Sequence, residues 1–271
     1  MTGPTKGPTN RPTTGPPTGP TGHGLLDGKI VVVTAAAGTG IGFATADRCV
    51  SEGATVVISD THDRRLSEAA ERLEAISGNR PLAVRCDVTV EDEVKALYDS
   101  VFAEHGRIDV AVNNAGLGGT TDIVDMTDEQ WSKVLDITLT GTFRCTRAVL
   151  SHMYRQGSGV IVNNSSVLGW RAQAGQAHYA AAKAGVMALT RCAAAEGAPH
   201  GVRVNAVAPS LAMHPFLNRA ISDDELEVLT SRELFGRSAE TWEVANVIVF
   251  LASDYSTYMS GEIVSVSSQH P

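Results

Sequence analysis

Tyr179 and Lys183 stand four residues apart in the run His178-Tyr179-Ala180-Ala181-Ala182-Lys183. Residues at that spacing share one helical face, and the Ala- and Leu-rich stretch 179–198 predicts a helix. A free phenol has a pKa of about 10, too high for easy proton exchange near neutrality. A neighbouring ammonium favours the phenolate, by about 1–3 pH units. The pair could therefore take and return a proton. Taken alone, the spacing also fits an exposed tyrosine and an unrelated lysine. The surrounding elements have to decide.

Those elements alternate. β-branched runs predict strands at Lys29–Thr34, Ala54–Ser59, Leu82–Cys86, Ile108–Asn113, Gly159–Asn164, Val202–Val207 and Glu262–Val266. Helical patterns fall between them, at Ile41–Glu52, Arg64–Ser77, Glu91–His105, Asp128–Gln156, Tyr179–Ala198 and Trp242–Ala252. Thr127 to Gln130 and Ser222 to Glu225 have the form of capping boxes. The alternation predicts an α/β fold of one domain: a doubly wound, seven-stranded parallel sheet of Rossmann type with helices on both faces. Ligands of such sheets bind at the carboxyl ends of the strands, where the strand order reverses.

The first predicted strand runs into Ala35-Ala36-Ala37-Gly38-Thr39-Gly40-Ile41-Gly42. Small residues between a strand and a helix let the backbone approach a pyrophosphate at the helix N-terminus. The same stretch also suits a tight turn with no ligand. The second strand leads into Asp60, about 20 residues beyond the glycines, where a carboxylate can accept both ribose hydroxyls and repel a 2′-phosphate. With no Lys or Arg in the glycine loop, the expected cofactor is NAD rather than NADP. Arg64 and Arg65 are expected to open the next helix.

These motifs, with Cys86-Asp87-Val88, Asn113-Asn114-Ala115-Gly116, Ser166 thirteen residues before Tyr179, and Arg203 to Pro209, resemble the short-chain dehydrogenase/reductase family. The resemblance covers Leu25 to about Ser267 and is strongest to bacterial 3-oxoacyl reductases. It extends to actinobacterial members near lipid or sterol-ring catabolism. It implies that Tyr179 is the general acid/base, that Ser166 binds the substrate oxygen, and that Lys183 holds the nicotinamide ribose and acidifies Tyr179. It implies a catalytic role for Thr138 through its main-chain carbonyl, which would hold a water beside the lysine. Cofactor contacts would come from Gly38, Thr39, Gly40, Ile41, Asp60, Asp87, Val88, Asn114, Ala115, Gly116, Tyr179, Lys183 and Ala212. Ser165 is the rival of Ser166. The implied reaction interconverts a secondary alcohol and a ketone, on a bulky apolar hydroxyacyl- or oxoacyl-CoA. An NADP-linked biosynthetic reductase and a catalytically silent dinucleotide-binding regulator are the alternatives.

The chain departs from the family pattern at four places. The glycine loop is one residue longer, with Ala35 in place of its first glycine. Thr138 stands where the family has Asn. Pro209-Ser210-Leu211-Ala212-Met213-His214 replaces Pro-Gly and a later Thr. Ser267-Ser268-Gln269 replaces Asp-Gly-Gly. Trp170, Met213, Phe216 and Leu217 suggest an apolar substrate pocket, and Arg171 is available for an anionic group; both Trp170 and Arg171 also suit ordinary loop packing.

Composition bounds the rest. The 271 residues carry 22 Lys and Arg against 30 Asp and Glu, a net charge of −8. No basic cluster points to nucleic acid, no apolar run of membrane length is present, and no ligand spacing points to a metal. Cys49, Cys86, Cys145 and Cys192 are scattered, as expected of reduced thiols in a cytoplasmic protein. Residues 1–24, with seven Thr, six Pro, six Gly and no acid, read as a disordered tail before a domain over 25–271. The small residues 180–188 suit close packing, either on the sheet or between subunits of a homotetramer.

Overall fold

A computed structural model describes residues 19–213 and 223–269. Seven strands form one parallel sheet: β1 (Ile30–Val33), β2 (Thr55–Asp60), β3 (Leu82–Arg85), β4 (Val110–Asn113), β5 (Gly159–Asn164), β6 (Val202–Pro209) and, last in the chain, β9 (Ile263–Val266). Their spatial order is β3-β2-β1-β4-β5-β6-β9. The chain builds outward from β1 to β3, then crosses back to lay β4 on the other side of β1. Val31 thus pairs with Val56 on one flank and Val110 on the other. A crevice opens at that reversal, above the carboxyl ends of β1 and β4.

The strand alternation sorts side chains to two cores. Val31 and Val33 face α1 (Ile41–Ser51), α2 (Asp63–Ser77) and α8 (Thr241–Ala252), whereas Val32 faces α3 (Glu91–His105) and α5 (Gly141–Gln156). Both faces are buried, which is why the strands read as continuous Val and Ile rather than as alternating polar and apolar residues. α6 (Ala177–Gly197) packs on β6 beside α5.

Four sequence expectations need correction. First, the helix expected over Asp128–Gln156 is α4 (Asp128–Leu135) and α5 joined by a π-turn, Asp136–Thr140, which contains Thr138. The capping box at its start is present: Thr127 Oγ1 accepts from Gln130 N at 3.2 Å and Gln130 Oε1 from Thr127 N at 2.9 Å. Second, a short parallel pair, β7 (Ala212–Met213) and β8 (Ala239–Glu240), was not foreseen, and it flanks α7 (Asp223–Thr230). Third, Asp63 rather than Arg64 opens α2. Ser222, His214, Phe216 and Leu217 lie outside the described residues.

The fourth correction concerns the chain's start. Residues 20–24, expected to belong to the tail, bond to the body of the fold. Glu52, wholly buried at the end of α1, accepts from His23 N at 2.8 Å and Leu25 N at 3.0 Å. Arg48 holds the other carboxylate oxygen and reaches the Pro20 and Thr21 carbonyls. Burial works to raise the Glu52 pKa, but these N–H groups and the guanidinium together bring it below its ordinary value. Removing residues 1–18 should leave Tm within about 1 °C of the full chain, because none of these bonds is touched. Removing residues 1–24 strips the buried carboxylate of its His23 donor and disturbs Leu25, and should lower Tm by roughly 5 °C. Equal melting of the two truncations would refute the clasp.

Candidate active site

The site begins where β1 ends. Thr34 is fully buried, and its hydroxyl accepts from Asn114 N at 3.0 Å, tying the end of β1 to the end of β4. Ala35 then turns into the left-handed region, φ 51°, a conformation in which a side chain costs about 1–2 kcal/mol. The turn aims the Thr34 and Ala35 carbonyls at Asn114 Nδ2, each 3.2 Å away. Gly42, in the first turn of α1, comes so close that an added Cβ would lie 2.3 Å from Ala35 O and 2.4 Å from Asn114 Nδ2. The N-terminus of α1 has neither a capping side chain nor an acidic residue in its first turn. Gly40, its N-cap, lines a cleft of about 960 Å³ together with Gly38 and Thr39. A helix end of this kind suits an anion such as a diphosphate.

Eight of the expected cofactor residues line that cleft: Gly38, Thr39, Gly40, Asp60, Asp87, Val88, Ala115 and Gly116. Asp60 closes one end, its carboxylate accepting from Ala37 N and His62 N, both at 3.2 Å. Burial raises the Asp60 pKa, and the Ala37 N–H and nearby Arg65 partly offset this. Asp87 Oδ1 accepts from Thr89 N and Oγ1 at 2.9 and 2.7 Å, which fixes the turn bearing Val88. Ile41, Asn114 and Ala212 do not line the cleft. Ile41 opens α1, Asn114 braces the loops from behind, and Ala212 is buried in β7.

At the end of β5, Ser166, Tyr179 and Lys183 converge. Ser166 caps a short turn, its Oγ accepting from Leu168 N at 3.2 Å and donating to Pro209 O at 3.5 Å, and it sits beside the Tyr179 phenol, whose pKa it lowers. Ser165 is spent elsewhere, donating to Lys183 O at 2.9 Å. Lys183 is 3% exposed, and its Nζ donates to Asn164 O at 2.6 Å, 5.5 Å from the centre of the Tyr179 ring. An added Cβ on Gly116 would lie 3.4 Å from that Nζ, so the triad adjoins the cleft.

This strand order, crevice and side-chain constellation are those of a known family, and sequence comparison agrees. Residues 35–268 match the family described as enoyl-(acyl carrier protein) reductase. The chain belongs to the short-chain dehydrogenase/reductase family. It is 62% identical over 252 residues, 92% of this chain and 96% of the relative, to the Mycobacterium tuberculosis protein named (5R,7aS)-5-hydroxy-7a-methyl-1-oxo-2,3,5,6,7,7a-hexahydro-1H-indene-carboxyl-CoA reductase. It is 39% identical over 241 residues, 89% of this chain and 97% of the relative, to a 3-oxoacyl-[acyl-carrier-protein] reductase of Thermotoga maritima. The crystal structure of a short chain dehydrogenase from Mycobacterium smegmatis superposes with a TM-score of 0.84 at 56% identity, covering 94% of this chain and 98% of that one. The protein is an oxidoreductase, an NAD(P)-dependent enzyme of this family.

Three expectations about the site change. Lys183 was expected to acidify Tyr179. Instead burial pushes the phenol up to about 12, with the Ser166 hydrogen bond pulling the other way. Burial likewise pushes Lys183 down, to about 8. Thr138 was expected to act through its carbonyl alone. That carbonyl accepts from Thr142 Oγ1 at 2.8 Å. Its hydroxyl works too, accepting from Leu117 N at 3.0 Å and donating to Leu117 O at 3.2 Å, so it pins the loop after β4. Arg171, expected to be available to an anion, donates to the Gln269 side chain.

The sequence reading missed Asn164, whose side chain donates to Asn114 Oδ1 at 2.9 Å while its carbonyl holds Lys183. The doubled asparagines at both strand ends, Asn113-Asn114 and Asn163-Asn164, were the available signal.

A lysine whose pKa falls on folding costs stability while it is charged in both states. That cost is full below about pH 8 and fades as pH rises towards 10.5. In the absence of ligand, Lys183→Met should therefore raise Tm at pH 7, and the gain should shrink at pH 9 and above. Thermal melts across that range check it; a lower Tm for the variant at pH 7 would mean that the Asn164 bond outweighs the burial of charge.

Proposed function

We propose that the enzyme interconverts a secondary alcohol and a ketone with NAD, acting on a bulky apolar hydroxyacyl- or oxoacyl-CoA in lipid or sterol catabolism. The observation that carries the reaction is the meeting of Ser166, Tyr179 and Lys183 at the mouth of the cleft. In the oxidative direction Tyr179 Oη, which burial favours as the neutral phenol and which must first lose its proton, takes the hydroxyl proton of the substrate, and Ser166 steadies the oxygen as its charge changes. A nicotinamide held in the cleft would supply the hydride acceptor for the carbinol C–H. In reduction Tyr179 returns the proton to the ketone oxygen. Lys183 spends one N–H on Asn164, keeping two for the nicotinamide ribose and the tyrosine. The Thr138 hydroxyl holds the Leu117 loop, and the Thr138 carbonyl would hold a water beside Lys183.

Asp60 supports NAD. It stands in the cleft beside the glycine loop, where it can accept two ribose hydroxyls and would repel a 2′-phosphate. The substrate class rests on the name of the M. tuberculosis relative, a carboxyl-CoA reductase of a fused-ring ketone, and on half-exposed Trp170 after the Ser166 turn. NADP-linked reduction is the competing reading. A silent regulator is disfavoured by the intact triad. A homotetramer is supported by two exposed apolar faces: Phe143 with Ala181, Ala184 and Ala188 on α5 and α6, and Phe250, Tyr255 and Tyr258 near α8. Light scattering should give four chains, and an active monomer would contradict it. A cytoplasmic location fits four cysteines without a disulfide, and no described helix is long and apolar enough to cross a membrane.

The test is turnover of secondary alcohols and hydroxyacyl-CoA compounds with each dinucleotide. kcat/KM should be higher with NAD than with NADP, and Asp60→Ala should narrow the ratio. A wild type that favours NADP would overturn the cofactor assignment. Tyr179→Phe should lower kcat by about 10²–10⁴ while NADH still binds; near-normal turnover would remove Tyr179 from the chemistry.

A further inference from the structure

The lengthened glycine loop poses a physical problem. Ala36 N and Ala37 N are fixed by Ser59 O and the Asp60 carboxylate, and Gly40 O is taken up by the first turn of α1. Between them lie Gly38 and Thr39, which line the cleft. Gly38 has no side chain to pack, and even an added Cβ there would touch nothing within 4 Å. Among the described residues, one hydrogen bond ties this bend to the rest of the protein: Arg72 NH1 donates to Gly38 O at 3.2 Å.

Arg72 belongs to α2 and does not line the cleft. Its guanidinium lies over Phe43 of α1, with Cζ 3.7 Å from the ring centre, a cation–π contact that holds it between the two helices. Asp47, one turn further along α1, feels the same positive charge. Two helices thus hold the guanidinium, and the guanidinium holds the loop.

A trans peptide points its C=O and its N–H in opposite directions, and the described chain has no cis bond. Fixing Gly38 O outward on Arg72 therefore turns Thr39 N–H inward. We propose that Arg72 is a positioning residue for the dinucleotide: it aims the Thr39 N–H into the cleft as a donor to the diphosphate. The inference rests on the reading of this cleft as the dinucleotide site. It explains how a loop one residue longer than usual can still present its backbone in register.

The experiment measures NADH affinity by fluorescence titration, together with KM and kcat, for wild type, Arg72→Met, Arg72→Lys and Phe43→Leu. Arg72→Met should raise the NADH Kd and KM roughly five- to tenfold, with kcat within about twofold of wild type. Arg72→Lys keeps charge and donors but not the planar guanidinium, and should recover part of the affinity. Phe43→Leu should weaken binding in the wild-type background and have little further effect in Arg72→Met. The loss should persist at about 0.5 M salt, where a charge acting at a distance is screened. An unchanged Kd in folded Arg72→Met, or a loss that salt erases, overturns the proposal while leaving the site reading intact. A wild type that binds no dinucleotide overturns both.

Discussion

An amide ladder across the ends of β4 and β5 holds the two halves of the site in register. Asn113 and Asn163 are paired residues of adjacent parallel strands, and Asn113 Nδ2 donates to Asn163 Oδ1 at 2.9 Å. Both side chains are buried, so each amide group must find a partner or cost free energy. Thr146 of α5 and Thr190 of α6 supply those partners at 3.1 and 2.9 Å. The helix carrying Tyr179 and Lys183 is thereby locked to both strands. One residue further on, Asn114 and Asn164 repeat the contact on the other face, joining the loop after β1 to the carbonyl that holds Lys183. A one-residue slip of either strand would break both pairs and move every side chain to the wrong face.

The ladder also makes room for groups that would be costly elsewhere. Lys183 and Tyr179 are held where burial opposes charge on either one, which pushes their pKa values towards the neutral forms and away from each other. Such a site stores unfavourable energy that a ligand carrying opposite charge or donors can release. Ala35 adds backbone strain at the other end of the cleft. Both costs fall at the crevice, and the surrounding sheet, buried on both faces, is what can bear them.

The sheet was legible because its determinants are local: unbroken Val and Ile runs at regular spacing, separated by amphipathic helices. The triad was legible because Tyr179 and Lys183 share one helix and Ser166 precedes them closely. The π-turn was not, because Asp136-Ile137-Thr138-Leu139-Thr140 reads as ordinary helix, and its side-chain bonds to Leu117 span 21 residues of sequence. The depressed acidity of Tyr179 was not legible either. Spacing gives the distance between two groups, whereas the pKa depends on how much water the finished fold removes from each. The docking of residues 20–25 was hidden because its partner, Glu52, sits in an unremarkable helical sequence and acts through backbone N–H groups.

The departures from the family pattern find uses of the same kind. Ser268 and Gln269, in place of the family's two glycines, take up bonds of their own. Both donate to the buried Glu233 carboxylate, at 2.8 and 2.9 Å, and Leu234 N donates to Ser268 O at 2.8 Å. The Gln269 carbonyl oxygen then accepts from Arg171, five residues after Ser166. One amide thus passes between a buried carboxylate and a guanidinium, satisfying each without bringing the charges into direct contact. That arrangement joins the last residues of the chain, the segment after α7 and the wall beside the triad. The cofactor half of the crevice is built from strand ends, where sheet register fixes geometry. The segment after α7 lies outside the seven-stranded sheet, and this clasp, with the bridge between Glu233 and Gln269 and the bond from Leu234 N to Ser268 O, ties it to the end of β9. Arg171 is consequently held through Gln269 to the buried Glu233 carboxylate, a framework contact rather than a free surface charge.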